Sequence, residues 1–238
     1  MSPIQVHTFP PLLEGRLIKR YKRFMADIEL ASGDIVTAHC PNTGPMTGVC
    51  HVNGRVMVSQ SDNPKRKLAY TWELAEVNDN GPVWAGVNTA LPNRVIQTAL
   101  NERIFDQLGA YDTVKREVPY GTKSRIDFLL TTDDRPIYIE VKNSTWAQGQ
   151  LCLFPDTVTT RGQKHLRELT ALLPKSRAVM LYFINRGDCD QFAPGDSADP
   201  DYGQLLRDAI AAGVEVLPCR FDISPTGIDY IGLAELVL

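Results

Sequence analysis

Asp127, Glu140 and Lys142 are the residues whose types and spacing could do chemistry, since two carboxylates and an amine can hold a hard cation beside a phosphate. They lie in SRIDFLL and PIYIEVKN, two β-rich runs separated by TTDDR. A turn centred between Asp133 and Asp134 sets Asp127 directly opposite Glu140. Period-2 alternation then puts Ile126, Phe128, Leu130, Ile137, Ile139 and Val141 on one apolar face, with Arg125, Asp127, Tyr138, Glu140 and Lys142 on the other. Opposed Cβ atoms lie roughly 4.5 to 5.5 Å apart, so the carboxylates can share one cation, and without it they repel. Hard oxygen ligands without a supporting Cys/His set favour Mg²⁺ or Mn²⁺. Lys142 can orient or help deprotonate an attacking water and offset charge on the phosphate. The same alternation also describes a solvated face bearing an ion-paired Asp, Glu and Lys. A one-residue change in turn length would flip one strand and separate the carboxylates.

The hairpin needs elements to hold it. Val95, Ile96, Ala99, Leu100, Ile104 and Leu108 recur at helical spacing, so a helix is predicted over 93–108, with Pro92 before it and Gly109 after it. Strands follow at 114–119, 125–130 and 136–142, then a helix at 158–173, a strand at 177–184, a helix at 202–212 and a strand at 214–221. Helices between strands imply a mixed sheet covered on both faces. The acidic segment 187–201 reads as a solvated loop. From Glu14 to Asn88 four or five short strands are broken by turn residues, with no convincing helix, which fits a small Greek-key barrel of the oligonucleotide-binding type. The chain therefore divides into 1–88, a β-barrel, and 89–238, an α/β domain.

Several further residues could meet a nucleic acid. Arg161, Gln163, Lys164 and His165 occupy the first turns of the helix after Lys142, where helix-terminal donors favour a phosphate; Arg161 and Gln163 are the preferred pair. A solvated amphipathic face has the same spacing. Arg16, Lys19, Arg20, Lys22 and Arg23 interleave with Tyr21 and Phe24, which suits phosphate tracking and base stacking, and Lys65, Arg66 and Lys67 form a second basic patch. A charged outer strand explains the first run equally well. His39, Cys40, Cys50 and His51 have no standard zinc-finger spacing, and no phosphate-cradling GxxxxGK[ST] occurs.

Composition sets the outer bounds. With 238 residues, 43% of them hydrophobic, the chain can bury one large core or two modest ones. The net charge of −3 neither suggests nor excludes nucleic acid, so a basic surface has to be local. Five scattered cysteines without CxxC spacing fit reduced thiols in a cytoplasm. No apolar run approaches the ~18 residues of a membrane span.

The order helix, strand, strand with Asp, strand with Glu-x-Lys, helix, strand resembles the PD-(D/E)xK nuclease superfamily. CPNTGPMTG (40–48), LPN (91–93), SRIDFLL (124–130), YIEVKNST (138–145) and FPDTVTTRGQKHLREL (154–169) together resemble the sugar fermentation stimulation protein A family along nearly the whole chain. The resemblance implies an α/β protein: an N-terminal barrel of oligonucleotide-binding type and a C-terminal restriction-endonuclease-like mixed sheet flanked by helices. It also implies DNA binding and a link to maltose metabolism. Asp127, Glu140 and Lys142 match the family's acidic and lysine positions, although Ile126 stands where the wider superfamily has proline. Glu102, on the first helix, is a further candidate metal ligand. The expectation is a DNA-binding protein, with RNA as another substrate, that keeps an Mg²⁺- or Mn²⁺-dependent nuclease site. The rivals are a non-catalytic DNA-binding regulator on a nuclease-like scaffold and a small-ligand sensor built on the PNTGPMTG loop.

Overall fold

Strand β1 (Ile4–Thr8) precedes the barrel strands β2 (Leu12–Tyr21), β3 (Met25–Leu30), β4 (Ile35–His39), β5 (Arg55–Gln60) and β6 (Tyr70–Val77) in a computed structural model that describes residues 2–121 and 124–238. The barrel strands pair in the order β4-β3-β2-β5-β6 and close through a parallel β4–β6 contact at Ala38↔Tyr70 and His39↔Thr71. Leu17, Ile28, Ala38, Val56, Val58 and Trp72 fill the interior. At the tight β2–β3 crossing Gly15 is required, since a Cβ there would sit 2.6 Å from the Ile28 side chain and 2.7 Å from the Glu29 carbonyl oxygen. The sequence run from Gly15 to Leu30 reads as one strand but is two. Lys22 and Arg23 turn it with φ of 49° and 65°, a left-handed pair without the glycine that normally signals it.

The barrel continues into β7 (Val83–Gly86), which leads to α1 (Pro92–Asn101) and then β8 (Thr113–Tyr120), β9 (Ser124–Thr131) and β10 (Ile137–Ser144). β11 (Trp146–Gln148), β12 (Leu151–Phe154), α2 (Thr160–Thr170), β13 (Arg177–Ile184), β14 (Gln191–Pro194), α3 (Pro200–Ala212), β15 (Glu215–Ile223), β16 (Gly227–Leu233) and β17 (Glu235–Leu236) complete the chain. A seven-stranded sheet runs β1-β16-β15-β13-β10-β9-β8, with β10, β13 and β15 parallel at its centre. Centrality explains β13, whose RAVMLYFI is apolar without alternation because both faces are covered. α1 packs with Phe128, Ile139 and Phe183 on one face, joined there by Met57 and Leu74 of the barrel. On the other face α2 and α3 cover Met180, Tyr182 and Ile184. β11, β12, β14 and β17 form a small separate sheet.

Three expectations need correction. β1 pairs with β16 rather than joining the barrel, so the residues before Leu12 belong to the second sheet and not to a barrel spanning 1–88. The helix expected to reach Leu108 stops at Asn101, since Arg103 takes φ of 55° and cannot continue it. The acidic segment 187–201 is not simply a solvated loop: it contains β14, with Phe192 buried, and three of its five carboxylates are engaged. Asp188 pairs with Arg186, Asp196 with Arg207, and Asp199 caps α3. No helix among the described residues is long and apolar enough to cross a membrane.

Candidate active site

Alternation in both strands set the hairpin register, and the observed pairs Ile137↔Leu130, Tyr138↔Leu129 and Ile139↔Phe128 follow it. One step further the ladder gives way to a side chain. Asp127 Oδ2 accepts from the Val141 backbone N–H at 2.8 Å, while Asp127 Oδ1 accepts from Asn93 Nδ2 in the first turn of α1, also at 2.8 Å. The apolar face changes here too: Phe128 and Leu130 pack on the α1 side, whereas Ile126 packs with the α2 and α3 cluster, so the face is not uninterrupted.

Glu140 is 3% exposed. Its Oε1 accepts from Lys142 Nζ at 2.7 Å and from His165 Nδ1. Arg161 Nε donates to His165 Nε2 at 3.4 Å, which leaves Nδ1 as the imidazole nitrogen that donates to Glu140. Burial alone would raise the Glu140 carboxyl; the hydrogen bond from His165 and the Lys142 charge outweigh it and hold the pKa low. Asp127 shifts the other way. Burial, and then the Glu140 charge, push it up to about 6 against the Val141 and Asn93 hydrogen bonds.

The remaining oxygen, Glu140 Oε2, is buried without a hydrogen-bond partner among the described residues. An orphaned carboxylate oxygen beside a second carboxylate that resists ionisation is a donor set that fits a hard divalent cation. Among the described residues no three His, Cys, Asp or Glu side chains form a cage, so any such ion would draw further oxygens from water, backbone or phosphate.

The cleft in front of Asp127 encloses about 450 Å³ and is lined by Arg125, Arg161, Lys164 and His165, with Glu117 and Ser124. Arg161 and Lys164 line the same cleft as Asp127. Lys164 also donates to Ser124 Oγ at 3.0 Å. Gln163 does not join them. Its amide turns inward to Asp199, at 3.0 and 3.1 Å, and helps join the N-termini of α2 and α3. His165 takes the place next to Glu140, a position that the i, i+4 spacing from Arg161 encodes and that Gln163, two residues from Arg161, does not share. Glu102 is also elsewhere. It is exposed at the C-terminal end of α1, ~13 Å along the helix axis from Asn93 at 1.5 Å per residue. Asn93, not an acidic residue, is what α1 brings to Asp127.

In the barrel the basic run divides by use. Arg20 donates to the carbonyls of Arg23, Asn42 and Gly44, and Arg23 to that of Thr43, so both brace the β2–β3 turn against the 42–44 loop. Arg16 donates to the Asn53 carbonyl, and Lys19 pairs with Asp27 at 3.4 Å. Lys22 is exposed at the turn beside Phe24, which is 46% exposed. Phe24, Met25, His39, Arg66, Lys67 and Leu68 line an open groove between the β2–β3 turn and the β5–β6 loop. The five cysteines are free thiols.

A closed barrel of oligonucleotide-binding type followed by a mixed sheet flanked by three helices defines the fold class. Family models agree: the sugar fermentation stimulation protein RE domain matches residues 90–227, and the SfsA N-terminal OB domain matches residues 18–87. The chain belongs to the sugar fermentation stimulation protein family. It is 71% identical over 236 residues to a sugar fermentation stimulation protein homolog of Synechococcus elongatus, covering 99% of this chain and 100% of that one. To the homolog of a Cyanothece species it is 66% identical over 235 residues, covering 98% of each chain. A solved structure of Pyrococcus furiosus SfsA in complex with Ca²⁺ is similar in fold, with a TM-score of 0.87, 24% identity, and coverage of 99% of this chain and 100% of that one.

Proposed function

We propose that the protein binds nucleic acid, DNA or RNA, and hydrolyses phosphodiester bonds at Asp127, Glu140 and Lys142 with Mg²⁺ or Mn²⁺. The supporting observation is the buried, partnerless Oε2 of Glu140 next to an Asp127 carboxyl pushed up to about 6. The Ca²⁺ complex of the Pyrococcus furiosus relative adds support for a divalent cation. Asp127 and Glu140 would hold the ion. When bound, it would polarise a phosphoryl oxygen and lower the pKa of a water.

The chain's own residues do the rest. Asn93 and the Val141 N–H fix both oxygens of Asp127, and His165 fixes Glu140. Lys142, held at Glu140, places an amine where it can orient the attacking water and offset charge on the phosphate. Arg125, Arg161 and Lys164 supply cationic walls for neighbouring phosphates. In the barrel, Lys22, Arg66 and Lys67 around exposed Phe24 supply a surface for a single strand.

The test incubates purified protein with single-stranded and duplex DNA and RNA in Mg²⁺, Mn²⁺ or chelator, beside Glu140→Ala and Lys142→Ala. Cleavage by the wild type should exceed that of either variant by at least ~100-fold and stop with chelator, while binding persists in all three. If the wild type binds DNA yet is as inert as both variants, the nuclease reading fails and a non-catalytic regulator is what remains.

A further inference from the structure

At the end of β10 the sheet meets the barrel and leaves a second, smaller crevice of about 120 Å³, separate from the cationic cleft. Its walls come from four distant segments: Asn42 of the barrel loop, Thr89 before α1, Asn143 to Trp146 directly after Lys142, and Leu153, Phe154 and Asp156. We propose that this crevice receives one unstacked nucleobase of the strand whose phosphate lies at Glu140 and Lys142, with an exocyclic amine of that base directed to Asp156. The proposal rests on the nucleic-acid reading above and goes further by naming the part of the ligand and its site.

Charge separates the two pockets. The larger cleft carries Arg125, Arg161 and Lys164, whereas no lysine or arginine lines the crevice and a carboxylate does. Such a lining disfavours a phosphate, and a neutral ring with both donors and acceptors fits it better. Asn143 and Asn42 each have their amide oxygen engaged, by Asn185 Nδ2 at 2.9 Å and by the Gly44 N–H at 2.9 Å. What each offers a ligand is an NH₂ donor, for the carbonyl or ring nitrogen of a base. Asp156 offers an acceptor, which matches the amine of cytosine, adenine or guanine and finds none on thymine or uracil. Trp146 and Phe154 supply partly exposed rings against which a base can pack.

The crevice is also built rigidly. Asn185, which holds Asn143, donates to the Gly86 carbonyl at 3.3 Å, and Gly86 has no room for a side chain, since a Cβ would fall 2.2 Å from Asn185 Oδ1. Arg186, fully buried, donates to the Thr145 carbonyl at 3.1 Å. Fixed walls at a domain junction lower the ordering cost of binding. Position completes the case: Ser144, which also lines the crevice, lies ~6.6 Å beyond Lys142 on the same face of β10, so a base here belongs to a nucleotide close to the scissile phosphate.

Fluorescence anisotropy of the full chain with single-stranded 12-mers, in Ca²⁺ and in chelator, tests this with one abasic position walked along the strand. Wild type should lose about tenfold in affinity at one position, and a cytosine-to-thymine change there should lose a comparable factor. Asp156→Asn should abolish the cytosine preference, and Trp146→Ala should flatten the abasic profile while overall binding remains. A flat wild-type profile on oligonucleotides that do bind overturns the crevice and leaves the nucleic-acid reading standing. No binding by any oligonucleotide overturns both. Free cytidine monophosphate provides the second arm: saturable binding lost in Asp156→Asn, with a flat abasic scan, would assign the crevice to a free nucleotide and overturn the strand proposal.

Discussion

Arg186 and Glu140 are both charged side chains removed from water on neighbouring strands or their ends, and they are treated differently. Arg186 donates to both oxygens of Asp188, to Asp79 and to the Thr145 carbonyl, and Asp79 lies on the barrel side of the junction. Every contact there is satisfied, and the barrel and sheet are joined by it. Glu140 has Lys142 and His165 on one oxygen and no partner on the other. A buried ion pair with complete hydrogen bonding needs nothing more; one with an oxygen left over keeps acceptor capacity for a further group.

The largest test of that contrast is Arg186→Ala, which leaves Asp79 and Asp188 without their cation. Chemical denaturation should show a loss of about 3–5 kcal/mol, and a loss below ~1 kcal/mol would place Arg186 among the dispensable surface pairs. Next is Asp199, a fully partnered carboxylate. Burial would raise its pKa, but hydrogen bonds from the Thr159 and Tyr202 N–H groups and from Gln163 prevail and hold it low. Asp199→Ala removes the α3 cap and strands Gln163, so thermal unfolding should report roughly 2 kcal/mol of destabilisation.

The smallest effect has the opposite sign. The folded Asp127 carboxyl keeps its proton up to about pH 6, while the unfolded one releases it near ~4, so its contribution to stability is complete below pH ~4 and is lost as pH rises through about 6. Asp127→Asn should match wild type at pH ~4 and exceed it by on the order of 2 kcal/mol at pH ~7 in chelator. Saturating Mg²⁺ should narrow or reverse that gap, because only the wild-type carboxylate gains the ion. A gap that does not change with pH would remove Asp127 from the strained pair.

How much of this was legible in the residues follows from which contacts are local. The hairpin was readable because SRIDFLL and PIYIEVKN alternate independently and agree on one register. Which helix end meets that hairpin was not, since the periodicity of 93–108 says only that one face is apolar; nothing local marks Asn93 over Glu102 as the residue that reaches Asp127. His165 was half-visible through its i, i+4 relation to Arg161. The turn at Lys22 and Arg23 was hidden because neither residue type announces a left-handed backbone. In 187–201 the density of Asp suggested solvent, whereas the partners that permit burial of Asp188 and Asp199, Arg186 and Gln163, lie outside the segment.

The pairing of β1 with β16 has a consequence for the order in which the protein can be made. Residues 4–8 leave the ribosome about 220 residues before their partners, 227–230. At ~5–20 residues per second the first strand waits roughly 10 to 45 s for its neighbour. During that interval the barrel, whose strands are all close in sequence, can close by itself. The sheet that carries Glu140 gains β1 at its edge only when the β15–β16 hairpin arrives, so completion of that sheet is timed to the synthesis of β16.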